Sequence, residues 1–166
     1  MCYDISYLTR RQADYARRYG TEEDVEDIVK RIGPVWHTNG FQHPFVPVVI
    51  DEKPGIRAFS WGLVPFWVKT VNDLLNIRGK TLNARGETIY ELPSFRRSAA
   101  SKRCLVIVDG FFEHHHEGKK VIPYFIKRKD RQPFALGGLW DEWVNRDDGT
   151  VHFSCTIITT TANKRM

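Results

Sequence analysis

No run of about eighteen consecutive apolar residues occurs in this chain, which is the length a membrane-spanning helix needs. No span is therefore expected. The start, Met1-Cys2-Tyr3-Asp4-Ile5-Ser6, lacks a basic stretch followed by an apolar one, so it does not read as a secretory signal. A cytoplasmic, nucleoid-associated address is the default expectation. Cysteine is scarce: Cys2, Cys104 and Cys155 are the three, widely spaced and without a Cys-x-x-Cys pair. That argues against a zinc ribbon. No internal repeat, low-complexity tract or linker breaks the chain, so a single domain over 1–166 is expected.

What remains is ordinary soluble composition, 42% hydrophobic and 27% charged over 166 residues, long enough for a sizeable core. Basic residues number 25 against 20 acidic, a net charge of +5. Such a balance suits a polyanion such as nucleic acid, and equally a plain solvated surface. Arg10 to Tyr19 reads as a helix stopped by Gly20. Thr21 reads as the N-cap of a second, with Glu22, Glu23 and Asp24 in its first turn. Val25, Ile28, Val29 and Ile32 form its apolar face, and Gly33-Pro34 its stop. Candidate strands follow over 46–50, 56–60, 103–108, 110–115, 121–127, 134–140 and 152–159, with hairpin turns at Glu117-Gly118 and Asp148-Gly149. Val71–Ile77 and Thr88–Arg97 read as short helices or loops. The sum predicts an α+β domain of mostly antiparallel sheet, curled into a barrel-like core with flanking short helices.

Four segments could carry chemistry. Removal of Met1 leaves Cys2 with both an α-amine and a thiol on adjacent carbons. The two can add to one aldehyde, first as a Schiff base and then as a five-membered thiazolidine ring. In Leu82-Asn83-Ala84-Arg85-Gly86-Glu87-Thr88, Asn83 can donate and accept hydrogen bonds and Arg85 can grip a phosphate. The same polar residues could serve only as caps. In Asp109-Gly110-Phe111-Phe112-Glu113, the carboxyl of Glu113 follows two aromatics and could act as general acid or base, or simply face water. In Phe59-Ser60-Trp61-Gly62-Leu63-Val64-Pro65-Phe66-Trp67, Trp61 is assigned to the core. Phe66 and Trp67 could either pack or stack on splayed bases. Cys104 and Cys155 lie in apolar runs and are expected to be buried and inert.

Taken in order, Met1-Cys2, Trp61 to Trp67, Asn83 to Thr88, Arg103-Cys104, Gly110 to Glu113 and Thr159 to Asn163 resemble the SOS response-associated peptidase (SRAP) family over nearly the whole chain. The resemblance implies a DNA-damage protein whose N-terminal cysteine captures abasic sites in single-stranded DNA as a thiazolidine. It implies Cys2 as nucleophile, Asn83 as the group positioning the reacting centre, and Glu113 as proton shuttle. Arg85 would contact the DNA backbone, and the reading of Phe66 and Trp67 as stacking aromatics adds them as DNA-binding candidates. The implied partner is abasic single-stranded DNA bound by a monomer, with no membrane and no cofactor.

The chain also departs from the family pattern. Tyr3-Asp4 stands where many members carry Gly-Arg, and Asp4 would repel phosphate. Thr38-Asn39-Gly40-Phe41 only loosely echoes an Asn-Ala-Pro-Gly-like segment, and Asn39 receives no firm role. His114 replaces the usual Trp after Glu113. Past Ala162-Asn163 the family carries a functional histidine and then Arg-Met-Pro, whereas here Lys164-Arg165-Met166 follows directly. The expectation is an SRAP-like domain lacking that C-terminal segment. Two rival readings stand beside capture: an N-terminal-nucleophile cysteine peptidase, and a non-covalent single-strand-binding module. His114-His115-His116 offers two histidines on one strand face but no third ligand by spacing, so no metal is expected.

Overall fold

The computed structural model describes residues 2–161, the side chains of Lys53 and His116 excepted. Met1, whose removal the cysteine chemistry needs, lies outside those residues, as do Ala162, Asn163 and the Lys164–Met166 tail. Ten strands and four helices follow one another among the described residues. Strand β1 (Asp4–Tyr7) leads into α1 (Gln12–Tyr19) and α2 (Glu22–Ile32). Next come β2 (Val35–Asn39), a short 3-10 turn at Gly40–Gln42, β3 (Phe45–Ile50) and β4 (Lys53–Trp61). Helix α3 (Val71–Arg78), β5 (Asn83–Arg85) and α4 (Arg96–Ser101) precede β6 (Arg103–Val108) and β7 (Gly110–Glu117). Strands β8 (Lys120–Ile126), β9 (Phe134–Val144) and β10 (Val151–Thr159) complete the order.

Helix α2 forms where its sequence signals place it. The Thr21 hydroxyl accepts from the Asp24 N–H at 3.1 Å, and the Asp24 carboxylate accepts from the Thr21 N–H at 2.8 Å, a reciprocal capping box. Val25 and Ile28 are buried against β3 and β4, and Gly33 at φ 66° ends the helix. Helix α1 packs on α2 and buries Tyr15, whose hydroxyl donates to the buried Asp109 carboxylate at 2.5 Å.

Strands β4, β3, β6, β9 and β10 hydrogen-bond in that order. A parallel pairing of β10 with β4 (Ser154 opposite Ser60, Cys155 opposite Trp61) closes the ring into a barrel. Cys104 and Cys155 are buried in it, as expected from their apolar runs. β5 continues along the same edge of β10, with Asn83 opposite Ile157 and Arg85 opposite Thr159. A second sheet, in the order β2-β1-β7-β8, lies beside the barrel, and Ile5, Phe111 and the barrel residues share one core. The hairpin turns at Gly118 (φ 61°) and Gly149 (φ 74°) stand where the sequence marks them.

Trp61 ends β4 fully buried, a core residue as its sequence suggests. Its indole N–H donates to the Leu82 carbonyl at 2.8 Å, so it ties the end of β4 to the start of β5. Gly62 follows at φ +118°, and a Cβ there would lie 2.6 Å from the Arg78 carbonyl oxygen and 2.8 Å from His43 Nδ1. Only glycine lets the chain turn out of the barrel at that point. Trp61→Phe removes one buried hydrogen bond and leaves a small cavity, and is expected to lower unfolding free energy by about 2 kcal/mol. A urea denaturation midpoint equal to the parent's would contradict that role.

Candidate active site

Cys2 sits just ahead of β1, with 6% of its surface exposed, packed into the shared core. It lies there because β1 runs between β2 and β7 with all four of its residues buried. The β1–β7 register sets Asp4 opposite Phe112, Ile5 opposite Phe111 and Ser6 opposite Gly110, which carries Glu113 toward the Cys2 end of β1. Gly110 is needed for this packing, since a Cβ there would run into the Phe125 ring of β8. Burial first, and then charge repulsion by the Glu113 carboxylate, push the Cys2 thiol up to about 12. A hydrogen bond from the Asp4 backbone N–H pulls weakly the other way. The thiol is thus held protonated, with the Glu113 carboxylate near enough to act on it by charge.

Asn83 opens β5. Both polar atoms of its side chain are buried, and neither has a hydrogen-bond partner among the described residues. Leaving such a group unsatisfied costs about 1–3 kcal/mol, so an orphan amide points to a ligand's place. Three contacts link this residue to the Cys2 segment. The Gly40 N–H donates to the Tyr3 carbonyl at 2.7 Å. Gly40 in turn lies flat on the Trp61 ring, and Trp61 bonds Leu82, the neighbour of Asn83. Arg85, two residues on along β5 and exposed, projects to the same side as Asn83. Next to it, the Glu87 carboxylate accepts from the N–H and hydroxyl of Thr161 at 2.9 and 3.1 Å.

Phe66 and Trp67 are both exposed, at 49% and 43%. The Arg97 guanidinium lies 3.9 Å over the Phe66 ring, and the Trp67 indole N–H donates to the Pro93 carbonyl at 3.3 Å. Their loop is fixed from inside, because the Phe66 N–H donates to the buried Asp141 carboxylate at 3.0 Å. Lys102 Nζ donates to the other oxygen of that carboxylate, also at 3.0 Å, and lies 4.7 Å over the Trp140 ring.

The arrangement thus sets Glu113 beside Cys2 and joins Asn83 to them through Trp61, with Phe66 and Trp67 on a loop of their own. Sequence reasoning missed two polar groups. Asp4 is mostly buried, and one of its oxygens accepts from Asn39 Nδ2 at 2.9 Å and meets His37 Nε2 at 3.0 Å. The carboxylate expected to repel phosphate is therefore already occupied, and Asn39, given no role, is one of its partners. Strand register alone brings Asp4 opposite Asn39, and no local pattern signals it. The Lys102–Asp141 pair, 39 residues apart, is equally invisible in sequence.

The model of the SOS response-associated peptidase (SRAP) matches residues 1–166. The chain belongs to the SRAP family. It is 43% identical over 112 residues to the abasic site processing protein YoqW of Bacillus subtilis, a match covering 67% of this chain and 48% of that protein. It is 39% identical over 134 residues to the abasic site processing protein YMR114C of Saccharomyces cerevisiae, covering 81% of this chain and 33% of that one. The chain thus spans about half the length of the Bacillus relative, and less of the yeast one. A solved structure of a protein from Bacteroides thetaiotaomicron matches with a TM-score of 0.89 and 38% identity, over 99% of this chain and 70% of its own. The barrel with its second sheet is therefore the SRAP fold.

The charge beside the SRAP cysteine gives a direct test. Glu113→Gln removes a repelling negative charge, so the Cys2 thiol ionises at lower pH. Alkylation of Cys2 by iodoacetamide at fixed mildly alkaline pH is expected to speed several-fold, followed by peptide mass spectrometry. All three thiols are held above their ordinary value of 9.0 by burial. Their contribution to stability is complete below pH 9 and falls as pH rises toward 12.

Proposed function

We propose that this SRAP chain captures abasic sites in single-stranded DNA, through a thiazolidine link to Cys2 once Met1 has been removed. The observation that carries the proposal is the adjacency of Cys2 and Glu113, with a protonated thiol and a carboxylate in electrostatic contact. The orphaned amide of Asn83 and the names of the abasic site processing relatives support it.

While Met1 is attached, the Cys2 nitrogen is an amide and not a nucleophile. After its removal the free amine attacks the aldehyde carbon of the ring-opened sugar, forming an N–C bond and a carbinolamine. Glu113, protonated by the α-ammonium that it frees for attack, gives that proton to the departing hydroxyl, which leaves as water, and an iminium that keeps one N–H remains. The Glu113 carboxylate then takes the thiol proton, and Cys2 Sγ adds to the iminium carbon. The C=N electron pair returns to the nitrogen, which keeps its one hydrogen as the S–C bond closes the ring. The balance is protein plus DNA minus one water. Asn83 holds the sugar hydroxyl or the carbinolamine oxygen, using both its donor and its acceptor. Arg85, Phe66 and Trp67 bind the flanking strand by charge and stacking. One chain carries every group the scheme uses, so a monomer suffices.

The test is intact mass before and after incubation with a single-stranded oligonucleotide bearing one abasic site. Expected are loss of Met1 and a denaturation-resistant species at the summed mass less one water. Cys2→Ala abolishes it, and Glu113→Gln slows it about a hundredfold or more, the usual size of a general acid–base contribution. An adduct formed equally well by Cys2→Ala, or by chains retaining Met1, would sink the proposal. A cleaved peptide in place of an adduct would indicate the N-terminal-nucleophile peptidase. Binding without any covalent species would indicate a passive single-strand-binding module.

A further inference from the structure

Two clefts meet along a ridge made by Trp67 and Pro93, which line both and are joined by the 3.3 Å indole hydrogen bond. One cleft, of about 620 Å³, lies between α3 and the 92–95 segment, with Lys69, Asp73, Asn76 and Lys80 on its other wall. Its volume falls within the range typical of small-molecule sites, roughly 300–1,000 Å³, large enough for a nucleoside. The second cleft, also about 620 Å³, is lined by Phe66, Arg96 and Arg97 together with the ridge. Neither belongs to the Cys2–Glu113 pair or to β5.

The chemistry of the walls narrows the occupant. Four cations, Lys69, Lys80, Arg96 and Arg97, flank the ridge, all exposed. The one acid in the linings, Asp73, is already engaged, since its carboxylate accepts from the Thr70 hydroxyl at 2.7 Å in capping α3. The side chain left over on that helix face is Asn76, one turn on from Asp73, an exposed amide that can donate to and accept from a base edge. An aromatic ridge, apolar walls, an amide and a surplus of positive charge suit a polyanion that also carries flat rings. An acidic peptide would leave the indole face unused, and a duplex would keep its bases stacked away from the ridge.

We propose that the α3 cleft seats one unpaired nucleobase of the DNA strand against Trp67, with Asn76 on its edge and its flanking phosphates on Lys69 and Lys80. The next phosphates then cross the ridge onto Arg96 and Arg97. This rests on the capture reading and extends it. The strand is gripped away from the lesion by a base-holding site, and Asn76 gives that site a preference among bases.

The experiment uses the full chain carrying Cys2→Ser, which removes the thiol from the binding measurement. Fluorescence anisotropy reads its affinity for a labelled undamaged single strand about twelve nucleotides long, near the upper site sizes of single-strand binders. Asn76→Trp, which fills the cleft, and Lys80→Gln are each expected to weaken binding about tenfold, the size of one lost stacking or phosphate contact. Lys80→Gln also flattens the dependence of affinity on salt by about one ion. Lys119→Gln, an equal charge change on the exposed β7–β8 turn, leaves the affinity unaltered. All these positions are exposed, and circular dichroism verifies the fold. The inference is overturned if the cleft variants bind like their parent, or if duplex DNA of equal length binds as tightly as the single strand. Adduct mass, measured separately on chains retaining Cys2, keeps the two proposals apart. An adduct without cleft-dependent binding leaves capture standing and removes the cleft, and the converse removes capture alone.

Discussion

The arrangement hangs on the indole of Trp61. The barrel closes through only two parallel residue pairs between β4 and β10, and β5 adds three more on the same edge. Between these two short ladders the chain leaves β4, forms α3 and returns, and the Leu63–Thr81 bonds and the β5–β10 ladder register that return. Trp61 adds a side-chain hydrogen bond to Leu82 at the same point, while its ring serves as the floor under Gly40. Gly40 in turn bonds the Tyr3 carbonyl next to Cys2. A buried, hydrogen-bonded aromatic is an economical choice for such a junction, because its ring packs in all directions while its single donor selects one partner. Loss of that bond would leave β5, and with it Asn83, held by its backbone ladder to β10 alone at this junction.

Electrostatic order follows the same geometry. The Cys2 thiol is placed where burial and Glu113 both oppose its ionisation. The Asp4 carboxylate is held locally, accepting from Asn39 Nδ2 at 2.9 Å and meeting His37 Nε2 at 3.0 Å. At Asp141 on β9, Lys102 pairs with one carboxylate oxygen while the other holds the Phe66 backbone. In both places a carboxylate serves as an anchor for a neighbouring segment, and at Asp141 the Lys102 ammonium cancels its charge.

Much of this was legible before any coordinates. The second helix announced itself through Thr21, the acids after it, the Val25–Ile32 periodicity and Gly33, because capping and amphipathicity are local properties. The long strands were equally plain from their apolar runs, and the candidate segment at 71–77 proved helical as α3. Strands β1, β2 and β5 were not visible. They are three to five residues long, mix polar with apolar side chains, and exist only because distant partners complete them. The 88–97 segment is mostly turns, and its helix starts only at Arg96, since Pro93 delays it. For the site, the ordered family motifs supplied Cys2, Asn83, Arg85 and Glu113. The Asp4 trio, the Asp141 anchor and the clefts beside Trp67 arise from pairings across the chain that no single segment encodes.

The burial of Cys2 has a bearing on the protein's lifetime before use. Oxidation to sulfenic acid and reaction with stray electrophiles both proceed through the thiolate, and both need access. A sulfur kept protonated and 6% exposed is slow in each of them. Under the capture proposal, a group that forms a lasting bond is spent only once, so its worth depends on how many copies are still intact when it is needed. The closed environment around Cys2 would then act as storage, keeping the thiol from being consumed by the ordinary chemistry of its surroundings.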